Sequence, residues 1–148
     1  MSRDDRRLVD AAQMRYIDTT TQERIGISAA LLMENAGRNA WELLRERLSR
    51  RYGERRVRIL FVAGNGNNGG DALTAARHCL LEERHTVVVA TTKEALRGSA
   101  AEQWEILRAL GCERIDVEGN RSAFAEEVAA ADCIVDGITG TGLSSPLR

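Results

Sequence analysis

The chain of 148 residues carries 21 Lys and Arg residues against 22 Asp and Glu residues, which gives a formal net charge of -1. This balance creates no overall field that would attract nucleic acid or an anionic membrane. The hydrophobic fraction of 43% is typical of an ordinary globular protein, and the length fits one domain with a substantial core. The basic residues at 3–7 and 45–58 alternate with acids, so we predict solvated helix faces there rather than a binding patch.

Cysteine and histidine usage narrows the function classes further. Three cysteines lie far apart and form no C-x-x-C pair, which argues against a disulfide framework and a zinc site and favours a reducing cytosol. His78 and His85 have no ligand or triad spacing, and we interpret them as structural or surface residues. The charged N-terminus leads into no apolar segment that resembles a signal peptide, and no run approaches the roughly 20 apolar residues of a membrane span.

The first third of the sequence predicts two helices. The first runs from Asp10 to about Glu23, with Gly26 as its terminator, and Ser28 is placed to cap the second by accepting a backbone N–H. Apolar residues then recur at helical spacing, and we predict that they form one buried face: Leu31, Leu32, Ala36, Ala40, Leu43, Leu44 and Leu48.

Strand and helix patterns alternate along the rest of the chain. Short apolar runs rich in β-branched residues predict strands, and these runs alternate with amphipathic segments. Such alternation indicates βαβ crossovers and an α/β domain with a mainly parallel sheet. The sequence stops soon after a glycine loop, so we predict a single domain, 1–148, that is incomplete at its C-terminal end. The predicted strands are 57–63, 86–91, 112–117 and 133–135, and the helices are 71–83, 99–110 and 122–131.

A segment rich in glycine and asparagine, Gly64 to Asp71, lies between the first predicted strand and the next helix. Glycine permits a positive φ and a close approach of a ligand, and free N–H groups at a helix start favour a phosphate. Ligands of an open parallel sheet bind at the carboxyl ends of its strands. A plain tight turn is the alternative, but the segment has more glycines and amides than a turn requires.

Two familiar phosphate-binding motifs fit this segment poorly. Gly64, Gly66 and Gly69 satisfy G-x-G-x-x-G, but a dinucleotide site would also place an acid at the end of the second strand. The residues there, 90–93, are Ala, Thr, Thr and Lys, which argues against hydride transfer. No Gly-Lys-Ser/Thr follows the glycines, so a Walker loop is also disfavoured.

A second segment, Asp136 to Pro146, follows the last predicted strand on the same edge of the sheet. Asp136 can help to coordinate a cation or orient a hydroxyl group. The Gly140-Thr141-Gly142 run and the serines after it supply backbone and hydroxyl donors for a phosphate or ribose. A connector near the chain terminus is the alternative, and the pairing with the first segment favours function.

These motifs together resemble the NAD(P)H-hydrate epimerase family, also called the YjeF N-terminal domain. The resemblance rests on Leu32-Met33-Glu34-Asn35-Ala36-Gly37, on Gly66 to Asp71 with Ala75-Ala76-Arg77-His78, and on Asp136 with Gly140 to Ser144 and Pro146. Gln13-Met14-Arg15 with Asp18 also fits. The resemblance implies a Rossmann-like three-layer α/β/α fold with N-terminal helices. It further implies a cytoplasmic, commonly dimeric enzyme that interconverts the R and S forms of hydrated NADH or NADPH for a partner dehydratase.

The resemblance also assigns residues by position. Asn68 and Asp136 are expected to help hold a potassium ion. Asp71 is the only carboxylate within the substrate loop, and that position, not the resemblance, makes it our candidate for proton transfer. The residues expected to contact the hydrated nucleotide are Asn67, Asn68, Gly69, Gly70, Asp71, Gly140, Thr141, Gly142, Leu143, Ser144, Ser145 and Pro146.

The sequence departs from the family in two places. Ala72 stands where the family often has glycine. The family also has a further strand that ends in an Asp and a Ser, which contribute to substrate and cation binding, and this sequence stops before it. The resemblance implies that this Asp carries the acid/base work of epimerisation. Two alternatives to catalysis therefore stay open: a non-catalytic nucleotide-binding or scaffold module of the same fold, and a shortened product that lacks activity.

Overall fold

A computed structural model of the chain describes residues 8–140. Two helical segments come first. Helix α1 (Ala11–Thr20) begins at Asp10, whose carboxylate accepts the backbone N–H groups of Ala12 and Gln13. It continues into a π-helical segment, Thr21–Ile25, that ends at Gly26 in a left-handed conformation. The predicted terminator is therefore confirmed. α1 and the π-helical segment contribute no buried residue.

Helix α2 (Ala29–Tyr52) is capped by Ser28, as predicted, and its buried face differs in part from the predicted one. The buried residues are Met33, Gly37, Trp41 and Leu48, which repeat every four or so positions on one side of the helix. Leu31 and Leu43, both predicted to be buried, are 50% and 61% exposed. Leu48 is buried and Leu44 packs against the core, so the predicted face is correct in part and misses Met33, Gly37 and Trp41.

The remainder alternates between strands and helices. The elements are β1 (Arg58–Ala63), α3 (Asn67–Leu81), β2 (Thr86–Thr91), α4 (Gly98–Ala109), β3 (Arg114–Asp116), α5 (Arg121–Ala130) and β4 (Cys133–Gly137). The strand order is β3-β2-β1-β4, and all three pairings are parallel. The predicted parallel α/β architecture is confirmed.

The sheet lies between two helical layers. One face packs against α3, with α2 and α4 on either side of it, and this side contains the larger core, with Phe61, Leu73 and Leu107 fully buried. On the other face Leu60 and Val62 pack against Phe124 of α5. β1 is consequently buried on both faces, as its apolar sequence predicts. No helix within 8–140 has the length and apolarity that crossing a bilayer requires.

Candidate functional site

The two predicted segments meet at one edge of the sheet. β1 and β4 are parallel neighbours, with Ala63 opposite Gly137, so both strands end at the same rim. The backbone N–H of Gly64 donates to the carbonyl oxygen of Gly137 over 3.0 Å. The Asn68 side-chain amide donates to the carbonyl oxygen of Thr139, also over 3.0 Å. The predicted juxtaposition is therefore present for the part of the second segment that the structure describes.

Helix α3 begins four residues earlier than the sequence predicts, at Asn67 instead of Asp71. The predicted loop residues from Asn67 to Gly70 are thus its first turn. Gly66 is the N-cap and has no side chain to cap the helix, while the first backbone bond, from the Gly70 N–H to the Gly66 carbonyl, is 3.1 Å long. The N–H groups before Gly70 have no partner within the helix. A helix start of this kind favours an anionic group.

The glycines of this segment have a different role from the predicted one. None has a positive φ; within the described residues, the glycines that do are Gly26, Gly53, Gly98 and Gly111. A Cβ on Gly64 would lie 2.0 Å from the carbonyl oxygen of Ile138, and a Cβ on Gly69 would lie 2.0 Å from that of Gly64. Gly64 is therefore required where the two segments touch, and Gly69 is required where the first segment packs against its own backbone. Gly66 is the exception, because a Cβ there would meet no atom of residues 8–140 within 4 Å.

The second segment is described as far as Gly140. Asp136 is exposed at the end of β4, and its Oδ1 accepts the Ile138 N–H over 2.9 Å. A Cβ on Gly140 would lie 3.3 Å from the Asn68 Cβ, so this residue also adjoins the start of α3. The predicted substrate contacts Thr141, Gly142, Leu143, Ser144, Ser145 and Pro146 lie outside the described residues.

Asp71 lies on the second turn of α3 and is half-buried. Burial disfavours its charged form, and together with the nearby negative charge of Asp18 it raises the pKa of Asp71 to about 6. A carboxyl group with such a pKa can both take and give a proton near neutral pH. Asp71 therefore has the electrostatic properties expected of an acid/base residue.

A cavity of about 410 Å³ opens beside Asp71. Four helical segments enclose it: the end of α1 with the π-helical segment, and the starts of α2, α3 and α4. Ser99 Oγ donates to Asn67 Oδ1 over 3.3 Å at its wall. The lining residues are Asp18, Gln22, Ala29, Ala30, Leu32, Met33, Ala36, Asn67, Asp71, Ser99, Glu102 and Gln103.

Sequence reasoning missed several of these lining residues. Asp18 appeared only as part of a family motif, and Ser99 and Gln103 were not singled out. Gln103 had a signal, because it occupies the buried face of α4 together with Ala100, Trp104 and Leu107. A polar residue on an apolar helix face is uncommon, and its buried polar atoms normally form hydrogen bonds with another residue or with a ligand.

The Leu-Met-Glu-Asn-Ala-Gly motif of α2 mainly forms scaffold contacts. Glu34 pairs with Arg77, and its Oε1 lies 2.8 Å from His78 Nε2, so α2 is tied to α3. A Cβ on Gly37 would lie 2.4 Å from the Thr74 Cβ, which means that the two helices approach closely only because this position is glycine. The motif fixes the wall on which the first turn of α3 packs.

The predicted structural roles of the remaining histidine and the cysteines fit their surroundings. His85 is buried, and its Nδ1 accepts the Val57 N–H over 3.3 Å. Cys79 is fully buried, and Cys112 and Cys133 are half-buried, all as free thiols. Between residues 8 and 140 no cluster of three or more His, Cys, Asp or Glu side chains is placed to hold a metal.

The fold and the site define a class of protein: a Rossmann-like α/β/α domain with a candidate anion site at the carboxyl ends of its strands. The protein-family model described as "YjeF-related protein N-terminus" matches residues 29–148 of the chain. The chain therefore belongs to the YjeF N-terminal domain family.

Curated relatives and a solved structure agree with this assignment. The chain is 39% identical over 137 residues to the NAD(P)H-hydrate epimerase of Rhodopirellula baltica, covering 92% of this chain and 53% of the relative. It is 35% identical to the epimerase of Pirellula staleyi, covering 98% and 63%. The crystal structure of the yeast protein ynu0 superposes with a TM-score of 0.80 at 25% identity, covering 97% of this chain and 60% of that one.

The chain spans between about half and two thirds of these relatives. A further relative, the bifunctional NAD(P)H-hydrate repair enzyme Nnr of Moorella thermoacetica, is 35% identical over 91% of this chain and 26% of its own length. The matched region thus occurs both in proteins named as epimerases and in a larger one named as a bifunctional repair enzyme.

Proposed function

We propose that this domain epimerises the R and S forms of hydrated NADH and NADPH. The observation that carries the proposal is the meeting of the α3 start with the loop after β4 at one rim of the sheet, where Gly64 bonds to Gly137. The relatives named as NAD(P)H-hydrate epimerases support the choice of substrate. In this proposal the chain's own residues bind the nucleotide and move a proton.

The phosphate groups bind at the start of α3. The backbone N–H groups of its first turn and the positive end of the helix dipole attract an anion. Asn67, Asn68, Gly69 and Gly70 form this turn, and Gly66 leaves open space in front of it. Gly140 adjoins this turn, and the proposal includes contacts of the nucleotide with the residues from Thr141 to Pro146, which lie outside the described residues.

Asp71 is the acid/base residue of the proposal. Its pKa of about 6 leaves a useful fraction of both protonation states at neutral pH, which is what general acid/base catalysis requires. Inversion at the hydroxyl-bearing carbon of the ring breaks its C–O bond: the Asp71 carboxyl group gives a proton to the hydroxyl, which leaves as water, while the lone pair of the ring nitrogen forms an iminium ion. Water then adds to the opposite face of that ion and returns a proton to the Asp71 carboxylate.

Asn68 and Asp136 fit a potassium ion as a resident cofactor. Oxygen ligands suit hard cations, and each residue retains a side-chain oxygen that makes no hydrogen bond among residues 8–140. The ion would neutralise charge next to the bound nucleotide. Asn68 adjoins the end of β4, since a Cβ on Gly137 would lie 3.0 Å from its backbone oxygen.

The partner and the setting follow from the same proposal. An epimerase that equilibrates two hydrates is useful only beside a dehydratase that consumes one of them. A bifunctional relative supports this coupling. Free thiols at Cys79, Cys112 and Cys133 suit a reducing cytoplasm.

We also propose a homodimer, supported by the apolar residues Met14, Tyr16 and Ile17 on α1, which are 46%, 67% and 46% exposed.

The experiment uses chromatography of hydrated NADH, which separates the two epimers. A sample of one epimer is incubated with the chain, with the Asp71→Asn variant and in buffer alone. We expect the wild-type chain to speed equilibration and Asp71→Asn to approach the rate in buffer. Equal rates for all three would contradict the proposal. Activity that persists in Asp71→Asn would keep the epimerase and remove Asp71 from the chemistry.

A further inference from the structure

The cavity beside Asp71 contains a side-chain amide without a partner. Gln103 is 8% exposed, and its Oε1 is buried with no hydrogen bond among the residues that the structure describes. Leaving a buried acceptor unpaired is costly, so such groups call for a ligand or a functional explanation. Gln103 lines the cavity, and the broad terminal torsion of glutamine lets its amide turn toward it at small cost.

The charge of the cavity indicates which part of a nucleotide it can take. Asp18, Asp71 and Glu102 line it, whereas no Lys, Arg or His side chain among residues 8–140 does. A phosphate would be repelled by these carboxylates. An uncharged group with N–H or O–H donors would find acceptors on several sides.

We propose that Gln103 binds the carboxamide of the hydrated nicotinamide ring, which enters this cavity while the phosphates stay at the start of α3. The inference rests on the proposed function and extends it to a specificity-determining residue. A carboxamide is complementary to the Gln103 amide, because each group offers one acceptor and a pair of donors. Asn67 belongs both to the first turn of α3 and to the cavity wall, so one ligand can reach both places.

Another part of the nucleotide carries similar chemistry. The exocyclic amine of adenine with its neighbouring ring nitrogen also pairs with a glutamine amide. The ring carboxamide is favoured because the cavity contains Asp71, and the reacting ring must lie beside the group that transfers its proton. The experiment therefore includes one pair of ligands that differ in the carboxamide and one pair that differ in the adenine amine.

Isothermal titration calorimetry of the whole chain provides the test. Nicotinamide mononucleotide is compared with its 3-acetylpyridine analogue, which has an uncharged acetyl group without amide donors in place of the carboxamide, and AMP is compared with IMP, which lacks the amine. We expect the wild-type chain to prefer the carboxamide ligand by about tenfold, the effect of roughly one hydrogen bond. Gln103→Leu should lose this preference and bind AMP as well as the wild type does. Glu105→Gln, on the same helix with a side chain 57% exposed, is the control and should retain the preference.

Each outcome decides between the two proposals. No preference in the wild-type chain, no binding of either mononucleotide, or a preference that survives in Gln103→Leu overturns the inference, even where epimerase activity is present. A preference for AMP over IMP that Gln103→Leu removes assigns the adenine instead. A carboxamide preference without epimerase activity leaves the inference standing and removes the proposed function. Gln103→Met repeats the test if Gln103→Leu shows no cooperative thermal unfolding.

Discussion

Asn68 Nδ2 lies 3.0 Å from the carbonyl oxygen of Thr139 and donates a hydrogen bond to it. This single bond joins the first turn of α3 to the loop that follows β4, over 71 positions of sequence. It adds to the Gly64–Gly137 bond in holding the two sides of the proposed nucleotide site together. A side chain counted in the sequence as a ligand contact therefore also holds two loops together.

Replacing Asn68 should test this double role. Asn68→Ala removes the bond to Thr139, and we expect about 1 kcal/mol less stability together with about tenfold weaker AMP binding, because the second loop loses its anchor. Calorimetric titration and urea unfolding measure the two effects.

The matched control removes one hydrogen bond at the opposite end of β4. Tyr52 Oη donates to the carbonyl oxygen of Asp132 over 3.1 Å, before the strand begins. Tyr52→Phe should lose similar stability and leave AMP binding unchanged. If it weakened AMP binding as much as Asn68→Ala does, the effect of Asn68 would be one of general stability.

Two glycines of the first segment should respond oppositely to alanine. A Cβ on Gly64 would lie 2.0 Å from the Ile138 carbonyl oxygen, and backbone cannot yield easily. Gly64→Ala should thus lose about 3 kcal/mol or more. A Cβ on Gly66 would meet none of the described residues within 4 Å, so Gly66→Ala should keep a stable fold but weaken AMP binding by placing a methyl group where the ligand approaches. Thermal melts and titrations of both variants check this contrast, and normal AMP binding by Gly66→Ala would show that no ligand passes there.

The sequence predicted the sheet well because its strands are apolar on both faces. The predicted range of β2, 86–91, matches the structure, and β1 differs by one residue. The start of α3 was wrong, because Asn and Gly have low helix propensity. Packing decided it: a Cβ on Gly70 would lie 2.6 Å from Met33 Sδ, so the turn is held against α2 by contacts that local patterns do not contain.

The sequence predicted only those site residues that directly follow a strand. Strand ends placed Asp136 and the first glycine segment at one rim, as the structure has them. The cavity required tertiary structure, because α1, α2, α3 and α4 each contribute a part of its wall. Asp18 and Gln103 are 85 positions apart in sequence, and no spacing rule relates them. On α2 the prediction considered only large apolar residues and Ala, so it missed the buried Gly37. Gly37 contributes to packing because it is small enough for α3 to approach closely.

The Cys79 thiol should resist alkylation in the folded chain. It is 0% exposed, and burial raises its pKa to about 12, so the reactive thiolate is scarce at pH values near 8. Cys112 and Cys133 are half-buried and should react first. Iodoacetamide labelling followed by mass spectrometry measures all three sites, with the chain in urea as the positive control. Labelling of Cys79 at the rate of the other two under native conditions would contradict its place in the core.

Asp71 should make the folded chain less stable as the pH rises from about 4 to about 6. Its folded-state pKa of about 6 lies above the ordinary value of 3.8, so the folded chain binds more protons than the unfolded chain in that window. Above about pH 6, Asp71 is charged in the folded chain, and the free energy of burying this charge lowers the stability of the wild type in full. Asp71→Asn removes the cost, and we expect this variant to be more stable than the wild type by about 1–3 kcal/mol at pH 8 and by little at low pH.

Urea unfolding of both proteins across this pH range isolates Asp71, because every other carboxyl group is common to the two. Asp18→Asn is the companion variant: without the nearby negative charge the pKa of Asp71 falls, and carboxyl-carbon NMR can follow it directly. The pH window of the stability difference should then move downward with it. A stability difference that does not change with pH would mean that Asp71 titrates as an ordinary surface carboxyl, and the proton-transfer role proposed for it would lose its physical basis.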